Sequence, residues 1–301
     1  MKILLCISTL KSGGAEKNIS FLANLLIKKK YNVTILTFDK KNAKSFFYLN
    51  KKIKVINLNL LKKSNNTLER IQNFFSRIKS IRKVIADGKY HCFISFINTM
   101  NITMLASTFF LNIKKIISDR NNPFFSKKSF FMKLLKLFFY KYADKLVIQT
   151  KESKIFYKFI DPNKIQIIDN FFNENFEIKK NYKLEKKINI IVVSKLEKQK
   201  GIDILIESLS KVKIKYKFNC DIYGKGTLFD NIEKIIKKNN LEKSIKIKKT
   251  KALNRVYRKY DLYILSSYYE GYPNSLVEAM ISGLPVISSS CDYGPKEIIF
   301  D

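Results

Sequence analysis

Tyr269-Glu270-Gly271-Tyr272-Pro273-Asn274-Ser275-Leu276-Val277-Glu278-Ala279-Met280-Ile281-Ser282-Gly283-Leu284-Pro285-Val286 is the stretch on which the reading of this chain turns. It carries two carboxylates, Glu270 and Glu278, with seven residues between them. Pro273, Asn274 and Ser275 supply a helix start, Leu276, Ala279 and Met280 an apolar face, and Gly283 followed by Pro285 a stop. Glu270 is therefore expected in the loop before the helix and Glu278 in its first turn. The open N–H groups and positive dipole end of a helix N-terminus favour phosphate, which a carboxylate cannot bind. A carboxylate accepts hydrogen bonds from sugar hydroxyls, so the combination suits a sugar attached to a phosphate. Two plainer roles stand beside this one. Ser275-Leu276-Val277-Glu278 also fits a capping box, in which Glu278 reaches back to an N-cap N–H, and Glu270 also fits a solvated surface carboxylate.

Around this stretch the order is a strand at 262–265, Ser266-Ser267, the glutamate loop, the helix, Gly-Leu-Pro, and a second strand at 286–289. That arrangement resembles the nucleotide-sugar half of glycosyltransferase family 4, the retaining enzymes of the two-Rossmann-domain (GT-B) type. The likeness includes the Glu-x7-Glu signature and, after it, Tyr293-Gly294-Pro295-Lys296-Glu297-Ile298-Ile299. It covers nearly the whole chain and is strongest over 190–299. The fold it implies is α/β: two Rossmann-like, doubly wound parallel-sheet domains facing a cleft, the second one incomplete because relatives continue past the position of Asp301. The activity it implies is transfer of a sugar from an NDP-sugar, UDP-linked, to a lipid-linked or saccharide acceptor in cell-surface polysaccharide assembly. Configuration at the anomeric carbon would be retained, and no metal or other cofactor is implied beyond the NDP-sugar co-substrate.

The bulk properties agree with such a chain. At 301 residues, 46% hydrophobic and 13% aromatic, it can bury a large core in one large or two medium domains. Cys6, Cys92, Cys220 and Cys291 are far apart and lie in or beside expected strands, which reads as buried reduced thiols of a cytosolic protein rather than a metal site or disulfide framework. The opening Met1-Lys2-Ile3-Leu4-Leu5-Cys6-Ile7 is broken too soon for a signal peptide, and no apolar run reaches the ~18 residues of a membrane span. The formal charge of +33 admits nucleic acid, an anionic membrane surface or compositional bias. Bias is the main cause: only six of the 58 basic residues are Arg, the lysines are spread along the chain, and no nucleic-acid-binding signature accompanies them. No specific nucleic acid is expected as a partner.

Taken in order, apolar runs at 3–7, 33–38, 53–58, 93–96, 115–118 and 146–149 alternate with helical patterns at 16–29, 68–86, 102–111 and 128–142. Near-continuous apolar strands separated by helices mean a parallel sheet covered on both faces. The first strand runs into Gly13-Gly14 before a helix, which is either a tight connection or, by the resemblance, a glycine loop touching donor phosphate or acceptor. Ser118-Asp119-Arg120-Asn121-Asn122-Pro123 follows a strand at the sheet edge where ligands bind. It resembles the Ser-Glu-Arg-Asn segment of polysaccharide-building relatives, with Asp119 in place of Glu. Arg120 is the candidate for an acceptor phosphate, against the alternative of a turn with a solvated arginine.

Residues 124–139 combine Phe124, Phe125, Phe130 and Phe131 with Lys127, Lys128, Lys133 and Lys136. That is the composition of a helix in a membrane interface, and it suggests a protein peripheral to the inner face of the membrane. For the Leu-rich second half, a core helix with a lysine edge is the preferred account. The lone His91 precedes its strand too early to match the first-domain histidine of many relatives and reads as structural.

The first domain is expected over 1–176, a charged linker over 177–187 and the nucleotide-sugar domain over 188–301. That domain opens with a strand at 189–194, then Lys195-Leu196-Glu197-Lys198-Gln199-Lys200-Gly201 and a helix at 202–209. By the resemblance, Lys195, where relatives carry Arg, and Lys200 hold the leaving diphosphate. Glu270 would hold the donor sugar's hydroxyls, Glu278 the ribose hydroxyls, Gly224 a turn beneath the nucleotide, and Ser275, Leu276 and Val277 the helix N–H groups toward phosphate. The rival readings are a sugar-phosphate epimerase or synthase within the fold, and a basic, non-catalytic module binding membrane or nucleic acid.

Overall fold

A computed structural model describes residues 1–61, 66–120, 130–172, 176–182, 187–213, 215–249, 253–292 and 294–299. The chain separates into two units, Met1–Phe171 and Phe172–Asp301.

In the first unit the described residues form β1 (Lys2–Cys6), α1 (Gly14–Lys28), β2 (Asn32–Thr37), β3 (Lys54–Asn57), α2 (Thr67–Gly88), β4 (Cys92–Phe96), α3 (Asn98–Ser107), β5 (Lys114–Ser118), α4 (Phe130–Phe139), β6 (Lys145–Ile148) and β7 (Ile165–Ile167). The strands pair in parallel in the order β3-β2-β1-β4-β5-β6-β7. Period-two alternation sorts β1 between two cores: Ile3 and Leu5 pack with Ile19 and Ala23 of α1, while Leu4 and Cys6 pack with Ile81 and Ile85 of α2 and with Met100 and Leu105 of α3. Apolar residues on both faces are why these strands are parallel and interior. The strand order reverses between β1 and β4, so their carboxyl ends flank the switch point where open α/β sheets bind ligands. The helix expected over 102–111 forms earlier, over Asn98–Ser107, and its outgoing Thr108 bonds back to Met104 and Leu105. His91 is structural, its Nδ1 accepting the Lys2 backbone N–H at 3.1 Å.

The second unit contains β8 (Ile188–Val193), α5 (Ile202–Val212), β9 (Phe218–Tyr223), α6 (Phe229–Lys238), β10 (Ile245–Lys248), α7 (Leu253–Val256), β11 (Leu262–Leu265), α8 (Asn274–Ile281), β12 (Val286–Ser288) and α9 (Pro295–Ile298). Its described strands are again parallel, in the order β10-β9-β8-β11-β12. Ile190 and Val192 face α5 and α6, and Ile191 faces the other way toward Tyr263, Leu276 and Ala279. The described part of the segment expected as a linker is strapped to this unit. Glu177 N–H bonds Asn254 O at 3.1 Å, Lys179 Nζ bonds Asp261 Oδ1 at 2.7 Å, and Tyr182 OH bonds Gly283 O at 2.9 Å. All four cysteines are buried and free.

Candidate functional site

The second unit's site begins with the loop leaving β8. A Cβ on Gly224 would overlap the Ser194 carbonyl oxygen, so only glycine lets the turn after β9 close on this loop. Leu196 N–H then bonds Lys225 O at 3.1 Å and Leu228 N–H bonds Leu196 O at 3.0 Å. On the other side Gly201, at φ +56°, lies against the Ser266 carbonyl, where a Cβ would also overlap. Ser266 Oγ donates to Lys200 O at 2.9 Å, Tyr268 N–H to Gln199 O at 2.9 Å, and Gln199 Nε2 to Tyr269 O at 2.8 Å. The glutamate loop and the lysine loop are thereby stitched together by one main-chain bond and two side-chain bonds to main-chain oxygens.

The stitching brings Lys200 Nζ to 2.6 Å and 2.9 Å from the two Glu270 oxygens. Ser267 Oγ donates to Glu270 Oε1 at 2.6 Å. Glu270 is 4% exposed, so it is not a solvated surface carboxylate. Charge-assisted bonds of this kind are short and strong. Lys195, the other expected cation, is exposed at the strand end. Cys291, buried beside this group, has its thiol pushed up first by burial and further by Glu270. Gln199, Ser266, Ser267 and Cys291 were not anticipated, since nothing in their local spacing singles them out.

α8 starts at Asn274 with Pro273 at its N-cap position and no side-chain cap. Ser275 is therefore inside the helix, its hydroxyl accepting from Tyr263 OH at 2.7 Å, and the capping box is not formed. Glu278 is the fifth helical residue rather than a first-turn one. It is 6% exposed and accepts from Tyr257 OH at 3.0 Å, a phenol that burial, then Glu278, pushes well above the usual range. Of the N–H groups expected to face phosphate, those of Leu276 and Val277 go to Pro273 O at 3.0 Å and 3.4 Å. The Ser275 N–H has no partner among the described residues.

In the first unit Gly13 is the N-cap of α1 and Gly14 its first residue. The Glu16 carboxylate lies where a Cβ on Gly13 would stand. Arg120 stacks on Phe96 with its guanidinium 4.3 Å from the ring centroid, donates from Nε to Ser118 Oγ at 3.0 Å, and also bonds Asn170 Oδ1. It is thus a fixed rather than a solvated arginine, and burial pulls its pKa down to about 10. Asp119 parts company with it. Its side chain turns into the core, where Oδ2 receives Lys136 Nζ at 2.7 Å, Tyr157 OH at 2.7 Å and Tyr140 OH at 3.2 Å. Side chains alternate across a strand, so neighbours at the end of β5 face opposite ways. Lys136, read from sequence as a membrane-facing or edge lysine, is buried, while Phe131, Leu134, Leu137 and Phe138 of α4 are exposed. Residues 121–129 lie outside the described residues, and with them Phe124, Phe125, Lys127 and Lys128.

Among the described residues no group of three His, Cys, Asp or Glu side chains is placed to hold a metal ion, and no helix is long and apolar enough to cross a membrane.

Residues 173–301 match the family model described as glycosyl transferases group 1. Over its whole length the chain is 29% identical to 82% of an alpha-1,4-N-acetyl-D-galactosaminyltransferase of Campylobacter jejuni, named for GalNAc-alpha-(1->4)-GalNAc-alpha-(1->3)-diNAcBac-PP-undecaprenol. The fold is similar to that of sucrose-phosphate synthase from Thermosynechococcus elongatus, with a TM-score of 0.84 over 99% of this chain and 83% of that one at 14% identity. It is also similar to an S. aureus TarM mutant solved with Fondaparinux, alpha-GlcNAc-glycerol and UDP, with a TM-score of 0.77 over 100% of this chain and 88% of that one at 18% identity.

Proposed function

Because this chain belongs to the group 1 glycosyl transferases and has their GT-B fold, we propose that it moves a sugar from a UDP-sugar to a lipid-linked or saccharide acceptor in cell-surface glycan assembly, with retention of configuration. The observation that carries this reading is the Lys200–Glu270 pair, its carboxylate buried and its ammonium half-buried, formed across 70 residues of sequence and held by hydrogen bonds between the two loops. A preorganised cation beside a hydroxyl-binding carboxylate is what departure of a diphosphate from a sugar requires. Glu270 takes the donor sugar's hydroxyls and Glu278 the ribose hydroxyls. Lys200, with the exposed Lys195, meets the charge that develops on the leaving diphosphate, which is the task a metal performs elsewhere. The Ser275 N–H at the uncapped start of α8 adds a neutral donor to the same anion. Gly13 and Gly14 touch donor phosphate or acceptor, and Arg120 serves the acceptor side as the phosphate ligand. The Campylobacter relative's PP-undecaprenol acceptor and the UDP in the TarM complex support these assignments.

The protein works at the inner face of the membrane, held there by the outward face of α4. Its exposed Phe131, Leu134, Leu137 and Phe138 are flanked by exposed Lys133 and Lys141. Aromatic and aliphatic side chains enter the interface, and each nearby lysine adds about 1 kcal/mol on an anionic surface.

Calorimetric titration with UDP tests the donor assignment. Glu278→Ala is expected to weaken UDP binding about tenfold to hundredfold, as loss of a charged hydrogen-bond partner worth roughly 1.5–3 kcal/mol requires. Lys200→Ala is expected to slow transfer more than it weakens binding. Unchanged UDP affinity in Glu278→Ala would leave Glu278 as no more than a partner for Tyr257.

A further inference from the structure

Two asparagines one turn apart on α3 are treated in opposite ways. Asn101 is fully employed: its Oδ1 accepts from Ser95 Oγ at 2.7 Å, and its Nδ2 donates to Ser118 O at 3.0 Å and toward Tyr140 OH at 3.2 Å. Asn98 is equally enclosed, at 6% exposed, yet its Oδ1 is buried with no hydrogen-bond partner. Leaving an acceptor desolvated and unpaired is unfavourable, and native proteins keep few such groups.

A second unfavourable feature adjoins the first. Ile97, immediately before Asn98, sits at φ +74° and ψ 134°. A β-branched residue at positive φ is a genuine outlier, and such residues cluster at ligand sites, where binding rather than folding justifies them. The location agrees. Asn98 opens α3 directly after β4, and β4 lies between β1, which leads to Gly13, and β5, which leads to Arg120. The Phe96 ring at the end of β4 is the platform for the Arg120 guanidinium.

We propose that Asn98 is a ligand-binding residue of the first unit, its Oδ1 accepting a hydrogen bond from a hydroxyl group of the saccharide acceptor. That the ligand is a saccharide rests on the transferase reading above. The chemistry of the atom narrows the choice independently: a carbonyl oxygen accepts and does not donate, so it repels an ionised phosphate and selects a hydroxyl or amide hydrogen. Asn98 and Arg120 on neighbouring strand ends thus divide a sugar phosphate between them, hydroxyl to the first and phosphate to the second.

The test uses the full chain with Asn98→Leu and Asn98→Asp. Leucine removes the unpaired acceptor at similar volume, so Asn98→Leu is expected to melt at or above the wild-type temperature and to bind UDP normally. Its KM for the acceptor is expected to rise about tenfold or more with kcat little changed, and Asn98→Asp, which keeps an acceptor oxygen, to recover most of that loss. A second readout is independent of turnover. The side-chain amide resonance of Asn98 in 15N-labelled protein, assigned by its disappearance in Asn98→Leu, is expected to shift on titration with methyl N-acetyl-α-D-galactosaminide and to stay in place with UDP. An unchanged acceptor KM in a folded Asn98→Leu protein overturns the proposal. So does a glycoside titration in which that resonance does not move while wild type still binds UDP, or a Leu variant that loses stability and UDP affinity together. Failure of wild type to bind UDP would instead strike the donor reading, leaving the glycoside titration to judge Asn98 by itself.

Discussion

Replacing Lys136 by methionine should damage the first unit more than any exposed lysine substitution in this chain. Lys136 Nζ lies 2.7 Å from Asp119 Oδ2 and 3.2 Å from Tyr157 OH, and within 4.9 Å of the ring centroids of Tyr140, Phe156 and Tyr157. The two charged side chains are 7% and 2% exposed. Methionine keeps most of the lysine stem, so the cavity contribution is small. What remains is a carboxylate left in the core without its cation, a loss of about 3–5 kcal/mol. Because the chain has two units, a single unfolding midpoint would mix them, and native-state hydrogen exchange of β5 and β6 amides is the appropriate readout. The expected acceleration there is roughly two to nearly four orders of magnitude. Pairing Lys136→Met with Asp119→Leu removes both charges and should restore most of the protection, since hydrophobic replacement of a whole buried pair is often neutral. Exchange in Lys136→Met within about threefold of wild type, or a double variant worse than the single one, would refute the reasoning.

Gly224→Ala places a methyl group into the Ser194 carbonyl, so the second unit should lose several degrees of melting temperature while the first is unaffected, as calorimetry of the two transitions would reveal. Burial raises the Asp261 carboxyl, but the Lys179 ion pair and Asn189 hydrogen bonds outweigh it and hold its pKa below the ordinary 3.8. A carboxylate depressed in the folded state stabilises fully above that ordinary value and is lost as pH falls through the folded one. Protection of residues 176–182 should therefore be constant above about pH 4 and fall below it, a loss that Lys179→Met would abolish. Sedimentation with anionic vesicles should be strong for wild type and weak for Phe131→Ser/Phe138→Ser; equal sedimentation on neutral vesicles in high salt would remove α4 as the anchor.

The α/β architecture was legible because burial on both faces leaves uninterrupted apolar runs, as in Ile3-Leu4-Leu5-Cys6-Ile7, and no other sheet type needs them. The placement of Glu270 in the loop after β11 and of Gly201 and Gly224 in turns was legible for a related reason: loops at strand ends carry short-range signals of residue type and spacing. What escaped was whatever depends on direction rather than identity. Lys136 is one of many lysines, and only the fold shows that it alone on α4 points at Asp119. α6, with Phe229, Ile232, Ile235 and Ile236 amid lysines and asparagines, was hidden by the bias of the composition. The α8 start at Asn274, two residues before the Leu276 start that a Ser275 cap would give, moved Glu278 out of the first turn, because proline at the N-cap position makes no side-chain cap and so gives no boundary sharper than the helix pattern itself. Asn98 carries no local signature; an unpaired acceptor exists only once the surrounding chain has closed around it.

The hydrogen bonds between the loops at 195–201 and 266–270 also bear on how such proteins can be recombined. Neither loop is a transplantable module. Exchanging 266–275 with a relative's segment would discard the Ser266 Oγ donor to Lys200 O and would set a foreign main chain against Gly201, whose missing Cβ lets the Ser266 carbonyl approach. Crossovers that respect this seam carry both loops together with the Gly224 turn, so the smallest piece that keeps these contacts intact runs from 194 to 270, more than half of the second unit.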